Sequence, residues 1–124
     1  MPRFILIGLV EPPTPEKQAA FDEWFVGQHI EDTARCTNFV RGASYKLVGA
    51  HVGIPTPGPW ISVYEVEAES YEEAERVLNE WQRNPNAWEG RAEHTATRER
   101  HGGNALKVLG SGWYELQSEF VHES

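Results

Sequence analysis

The sequence has 124 residues, a net charge of −8 and a single cysteine, Cys36. This length predicts one domain, spanning residues 1–124, with its own hydrophobic core. The acidic excess predicts repulsion from phosphate backbones, so nucleic acid is not an expected partner. One cysteine excludes an internal disulfide and a cysteine-rich metal site, and its thiol is expected to act as a small apolar side chain.

The apolar run RFILIGLV, residues 3–10, predicts a first strand that is covered on both faces. It is too short to span a bilayer and lacks a small-residue cleavage site, so we expect a cytoplasmic protein with no membrane partner. Thr14, Pro15 and Glu16 then supply an N-cap hydroxyl, a proline at the first helical position and an acid in the first turn. These signals predict a first helix that runs to about Ala34 or Arg35.

Two strands should follow. Residues 38–50 alternate with a period of two, which places Phe39, Ala43 and Tyr45 together on one face of a second strand. The prolines of residues 53–59 predict a loop, because proline cannot donate to a strand ladder. The segment WISVYEVE, residues 60–67, is then the third strand.

Ser70 is the predicted N-cap of a second helix that ends at about Arg83. Residues 84–105 are polar and are predicted to form either a short helix or an irregular, lid-like excursion that carries His94 and His101. Residues 107–120 are predicted as a fourth strand, with a bend or bulge near its glycines.

This order predicts an α+β, ferredoxin-like β-α-β-β-α-β fold, with a four-stranded antiparallel sheet and both helices on one face. Two helices cannot cover all the large apolar and aromatic side chains of the strands. We therefore expect a homodimer that pairs sheet against sheet, with an apolar cavity between each sheet and the first helix.

Three features of the chain occur together. They are the element order, the spacing Phe21-x-x-Trp24-Phe25-x-x-x-His29 in the first helix, and the run Asn38-Phe39-Val40-Arg41 leading into Tyr45. In this combination the chain resembles the dimeric α+β barrel superfamily, and most nearly its EthD-like branch. That superfamily includes polyketide cyclases, muconolactone-type isomerases, haem-degrading enzymes and monooxygenases that use neither metal nor flavin, so the resemblance implies architecture more than chemistry.

The resemblance also implies positions for the reacting groups. The first-helix histidine, His29, would reach into the barrel cavity, and His51 matches a second histidine that the isomerase branch carries after its second strand. The olivetolic-acid-cyclase-like branch has its histidine in a His-Pro-x-His turn. This chain has Asn84-Pro85-Asn86-Ala87 there, which weakens a cyclase interpretation by that route.

His29 is either a half-buried structural residue or a neutral imidazole aimed at a pocket, and the resemblance favours the second interpretation. Tyr45 and Tyr64 are candidate donors to a developing enolate oxygen, although tyrosines on strands serve equally well in a core. The predicted substrate walls are aromatic: Phe25, Trp60, Tyr64 and Trp113. Glu31 and Asp32 are expected to form a solvated face.

No His-x-His, His-x-x-x-His or Cys-x-x-Cys spacing and no Gly-x-Gly-x-x-Gly phosphate loop occurs, so neither a metal nor another cofactor is predicted. We predict a cofactor-independent lyase, isomerase or cyclase. Its general base would be His29, with Tyr45 and His51 as further catalytic candidates, and its substrate a small hydrophobic aromatic or polyketide-like carbonyl compound. The alternatives are a cofactor-free monooxygenase of the same superfamily, and a non-catalytic dimer that binds a small ligand or haem.

Overall fold

The computed structural model describes residues 1–84 and 105–122. Within them four antiparallel strands form one sheet: β1 (Arg3–Glu11), β2 (Phe39–Lys46), β3 (Trp60–Glu67) and β4 (Lys107–Glu115). Their order across the sheet is β2-β3-β1-β4. One helix joins β1 to β2 and a second follows β3, so the predicted ferredoxin-like β-α-β-β-α-β order is confirmed.

The first helix, α1, covers residues 15–33 in four consecutive segments that differ in winding. They are a 3₁₀ turn (Pro15–Lys17), an α-helical turn (Gln18–Phe21), a π-helical segment (Asp22–His29) and a final α-helical turn (Ile30–Thr33). Thr14 has the extended backbone of an N-cap, but its side chain makes no capping hydrogen bond. The hydroxyl capping predicted there is therefore wrong, although the predicted extent of the helix is confirmed.

The second helix, α2, spans Tyr71–Arg83. Its N-cap is Ser70, as predicted, and the Ser70 hydroxyl accepts a 3.2 Å hydrogen bond from the backbone amide of Glu73. This bond satisfies one of the amides that have no partner within the first helical turn. Ala74 and Leu78 are the buried residues of α2.

Both helices pack on the same face of the sheet. Phe4 on β1 and its cross-strand neighbour Val66 on β3 are buried there. Phe21 is fully buried, and together with Ala74 of α2 it joins these side chains in one hydrophobic cluster. The core of the protein therefore lies between this face and the two helices.

The other face, which we call the open face, is also largely apolar. In the part of the chain that the structure describes, neither helix packs on it, and most of its side chains are only half-buried. Its apolar side chains are Ile5, Ile7 and Leu9 on β1, Ala43 and Tyr45 on β2, Ile61 and Val63 on β3, and Tyr114 on β4.

A bulge in β2 changes which residues share a face. The pairing with β3 shifts between Phe39 and Arg41, and the extra residue moves Phe39 to the helix side, opposite Val66. Tyr45 lies opposite Ile61 on the open face. The prediction that Phe39 and Tyr45 share one face is therefore wrong, because the bulge interrupts the period of two.

Two strands are shorter than predicted. β2 ends at Lys46 rather than Ala50, and β4 ends at Glu115 rather than Phe120. The bulge predicted in β4 is confirmed, because its pairing with β1 shifts one residue before Gly110.

Residues 85–104, with His94, His101 and most of the predicted excursion, lie outside the described residues. Among the described helices, none has the length and apolar character that a bilayer span requires.

Candidate functional site

His29 lies against two aromatic rings of its own helix. Its ring centroid is 4.6 Å from that of Trp24 and 5.4 Å from that of Phe25, and the planes of His29 and Phe25 differ by 25°. Trp24 and Phe25 are buried and His29 is half-buried. The imidazole is therefore held beside an apolar surface with part of its own surface still exposed.

The local winding of α1 contributes to this arrangement. The segment Asp22–His29 is π-helical, and the backbone amide of Ile30 donates to the carbonyl of Phe25, five residues earlier. Such turns are wider than the 3.6-residue α-helical turn and occur frequently at functional sites. In such turns, residues four apart in the sequence lie on the same side of the helix. His29 is therefore on the same side as Phe21 and Phe25.

The aromatic line of α1 continues onto the sheet. The ring of Phe21 is 5.1 Å from the ring of Phe25 and 5.1 Å from that of Trp60, at the start of β3. The ammonium group of Lys46 lies 5.9 Å from the centre of the Trp60 ring, a cation–π distance. The structure thus brings together Phe25, Trp60 and His29, three of the predicted site residues.

Tyr64 reaches the same side of the sheet from β3. Its residue surface is only 4% exposed, and a close approach by Gly42 makes room for its ring. A Cβ atom at position 42 would lie 2.9 Å from the Tyr64 ring and 3.0 Å from the Cβ of Ala34. Glycine is therefore required where the tyrosine ring crosses β2.

The Tyr64 hydroxyl is buried without a hydrogen-bond partner in the described part of the chain. Burial raises the pKa of Tyr64 to about 12, and its polar neighbour Thr33 on α1 partly offsets this effect, although the two hydroxyls do not have hydrogen-bond geometry. At neutral pH the phenol keeps its proton and is a donor. Because a buried donor without an acceptor is costly, this hydroxyl is suited to an oxygen atom supplied by a ligand.

Thr33 lies between the Tyr64 hydroxyl and the His29 imidazole on the surface of α1. It follows His29 by four residues, the spacing at which side chains are neighbours on a helix, so His29 and Tyr64 flank the same turn of α1. Asp32 follows His29 by three residues and is only 9% exposed. The expected solvated face is therefore wrong for Asp32, whereas Glu31 is exposed and pairs with Arg35 at 2.6 Å.

Sequence reasoning thus missed Thr33 and Asp32 as members of this surface. Their spacing of four and three residues from His29 was the available signal, because both steps return to the same side of a helix.

Trp113 on β4 is half-buried on the helix side of the sheet. Its indole N–H donates a 2.6 Å hydrogen bond to a carboxylate oxygen of Glu75 on α2. Its ring lies edge-on to Phe39, with centroids 6.5 Å apart, and Phe39 in turn contacts the ring of Tyr64 at 5.7 Å. Trp113 therefore belongs to the Tyr64 end of the aromatic surface.

The two other catalytic candidates lie apart from His29 within one subunit. Tyr45 is on the open face and is 47% exposed, with the Arg41 side chain beside it. His51 is exposed in the loop between β2 and β3, where its carbonyl accepts from the amide of Ile54 at 3.0 Å. The structure therefore does not bring either residue next to the His29 imidazole of the same chain.

Cys36 is buried, and this burial raises the pKa of its thiol to about 11, with a small opposing effect from the backbone at Thr37. The thiol is therefore unreactive at neutral pH. Among the described residues, no group of three His, Cys, Asp or Glu side chains could hold a metal ion.

Tyr64→Phe is expected to leave the free protein as stable as the wild type or to raise its free energy of unfolding by up to about 1 kcal/mol. The substitution keeps the buried ring and removes a hydroxyl that has no partner. Urea unfolding followed by circular dichroism measures the change, with Tyr45→Phe on the open face as the matched control. A loss of more than about 1 kcal/mol in Tyr64→Phe alone would show that the hydroxyl is hydrogen-bonded in the free protein.

No family model matches the chain, and no curated protein matches it either. Among solved structures, the chain is similar to a candidate monooxygenase from Shewanella loihica PV-4, with a TM-score of 0.52 and 13% identity over 96% of this chain and 99% of that one. It is also similar to an EthD family protein from Bacillus halodurans C-125, with a TM-score of 0.50 and 14% identity over 94% of this chain and 100% of that one.

The chain has the ferredoxin-like fold of these two proteins. Because the similarity covers nearly all of each chain, the predicted fold class and the EthD-like resemblance are confirmed at the level of architecture. A fold carries many chemistries, so the function of this protein is argued from its own residues.

Proposed function

We propose that this protein is a cofactor-independent enzyme of the lyase, isomerase or cyclase type, in which His29 is the general base. The observation that carries the proposal is the half-buried His29 imidazole, which lies on the rings of Trp24 and Phe25. Histidine is the commonest general base in proteins, because free imidazole gains and loses its proton near neutral pH.

The proposed substrate is a small, hydrophobic aromatic or polyketide-like carbonyl compound that binds at the rim of the layer between α1 and the sheet, beside the half-buried rings of His29 and Trp60. Phe25 and Trp60 would contact its ring at one end, and Tyr64 and Trp113 at the other. Flat apolar walls with few polar groups are typical of sites for such ligands.

The proposed first step is removal of a proton from the carbon next to the carbonyl group. The C–H bond breaks, the proton moves to the His29 imidazole, and the electron pair delocalises onto the carbonyl oxygen to give an enolate. The Tyr64 hydroxyl, a donor without a partner in the described chain, would hydrogen-bond that oxygen. Isomerisation, bond cleavage and cyclisation all begin with this step.

We also propose that the working form is a homodimer that pairs through the open face. The support is a row of large apolar side chains on a face that neither described helix covers, which includes Ile5, Ile7 and Ile61. Contiguous apolar surfaces of this kind mark interaction sites, and a second copy related by a two-fold axis would cover both faces at once.

Proton abstraction can be tested without the natural substrate. Aryl ketones such as acetophenone and 1-tetralone exchange their α-protons slowly in neutral D₂O, and ¹H NMR follows the loss of that signal. We expect the protein to accelerate exchange by at least about a hundredfold over an equal concentration of free imidazole. If the folded protein accelerates α-proton exchange in none of a panel of aryl ketones, the result contradicts the proposal.

The similarity to a candidate monooxygenase motivates a second candidate function, a monooxygenase that uses neither metal nor flavin. In that reaction the substrate carbanion would react with O₂, and the protein would mainly exclude water. An oxygen electrode separates the two candidates, because protein-dependent oxygen uptake with an electron-rich polycyclic phenol supports only the monooxygenase. A Soret band in the purified protein would instead indicate the haem-binding alternative.

A further inference from the structure

The loop between β2 and β3, residues 47–59, exposes large apolar side chains. Val48 is 96% exposed, Val52 91% and Ile54 57%. The loop contains no aspartate or glutamate, although the chain has 19 acidic residues, and it carries His51. We call this segment the β2–β3 loop.

A groove of about 220 Å³ lies at the other end of the sheet, and we call it the acidic groove. Its apolar lining comes from Ile5, Val40, Tyr114 and Leu116. Val40 and Tyr114 are each 61% exposed, and Leu116 is 46% exposed. The groove is therefore an apolar surface on the open face, at the end where β1 begins.

Four glutamates also line this groove: Glu65, Glu67, Glu115 and Glu119. Arg41 pairs with Glu65 at 3.3 Å, and Arg3 pairs with Glu67 at 3.6 Å and with Glu119 at 3.4 Å. Glu115 is paired with Phe4, so its side chain lies on the helix side of the sheet. The other three carboxylates against two guanidinium groups leave the groove with a net negative charge. Its apolar lining suits an apolar segment, and its negative charge disfavours a segment that carries acids.

The loop and the groove lie at opposite ends of the same sheet. Lys46, Trp60 and Val10 are paired at the loop end, whereas Arg3 is paired with Glu67 at the groove end. A two-fold axis that lies between two facing sheets, perpendicular to their strands, would place each loop over the partner's groove. Both contacts would then form twice in one closed dimer.

We propose that the β2–β3 loop of each subunit docks in the acidic groove of a second copy of this chain. Val52 and Ile54 would cover the apolar lining, and His51 would approach the carboxylates. This inference rests on the proposed homodimer and adds the direction in which its subunits pair. It also explains why the loop keeps large apolar side chains in water within a single chain.

Disulfide cross-linking tests the pairing directly. In the double variant Val52→Cys/Val40→Cys, oxidation should give a covalent dimer on a non-reducing gel, because each loop cysteine meets a groove cysteine of the other subunit. Val40 lies at the start of β2 and Val52 lies beyond its end, so about 20 Å of strand separates the two positions in one chain and they cannot bridge within it. Each single variant is the control and should not cross-link.

Two measurements, the oligomeric state and the cross-linking, distinguish a failure of the loop–groove pairing from a failure of the proposed homodimer. A monomer in light scattering at micromolar concentration would overturn both. A dimer in which the double variant does not cross-link, or in which Val52→Cys alone does, would overturn only the loop–groove pairing.

A charge placed in the contact gives a second test. Val52→Glu should raise the dimer dissociation constant at least about tenfold, because it brings a carboxylate into a negative groove. Val108→Glu is the matched control, because this 58% exposed position lies on the helix side of β4, which faces away from the proposed interface, and it should change the constant less than about twofold. If Val52→Glu leaves dimerisation unchanged but abolishes binding to phosphatidylcholine vesicles, the loop binds lipid and the proposal is wrong.

Discussion

Phe21→Ala is expected to lower the free energy of unfolding by about 3–5 kcal/mol. Phe21 is fully buried, with its ring 5.1 Å from the rings of both Phe25 and Trp60. Removal of the ring loses its transfer free energy and leaves a cavity between α1 and β3 that the neighbouring aromatic side chains can fill only in part. Urea unfolding followed by circular dichroism and tryptophan fluorescence measures the loss.

Phe120→Ala is the matched control, because it makes the same chemical change at a side chain that is 85% exposed. We expect it to change stability by less than about 0.5 kcal/mol. Equal effects of the two substitutions would contradict the packing of α1 on the sheet. A Phe21→Ala protein that cannot be purified folded would agree with the expected loss, and Phe21→Leu would then give a smaller, measurable one.

His29→Gln is expected to reduce the rate of α-proton exchange in aryl ketones by about 10²–10⁴-fold, which is the usual contribution of a positioned general base. Glutamine is similar in size and keeps hydrogen-bonding capacity, so the aromatic surface around Trp24 and Phe25 should persist. We therefore expect the loss in kcat, with KM changed by no more than a few-fold. The measurement is the ¹H NMR exchange assay over a range of ketone concentrations.

His122→Gln is the control for this substitution, because His122 lies in the exposed chain after β4, next to Phe120. It should retain full exchange activity. His51→Gln asks a different question, since equal losses in His29→Gln and His51→Gln would place both histidines in the reaction. Full exchange activity in folded His29→Gln would show that His29 is structural.

Local signals were sufficient for most of the fold. The Ser70 hydroxyl acts through bonds to its own helix, so the start of α2 was predictable to the residue. The β2–β3 loop was likewise predictable, because its prolines have no amide hydrogen to donate to a neighbouring strand. By contrast, the bulge between Phe39 and Arg41 depends on how β2 fits β3 in three dimensions. Periodicity in β2 alone could not reveal it.

The site was predictable to the same degree. The spacing of Phe21, Phe25 and His29 indicated the aromatic surface on which the imidazole lies. The π-helical winding that aligns these residues could not be predicted from that spacing. Tyr45 and Tyr64 look equivalent as strand tyrosines, yet they lie on opposite faces because their positions in the β2–β3 register differ in parity. Only the packed sheet distinguishes them.

The central claim is that the His29 imidazole borders the ligand site, and ¹H–¹⁵N NMR of the histidine rings tests it directly. The His29 signals are assigned by their absence in His29→Gln, and acetophenone is then added to the wild-type protein. We predict that the ring signals of His29 shift in a saturable way while those of the exposed His122 do not. Saturable binding of acetophenone that leaves the His29 signals unmoved would contradict the account.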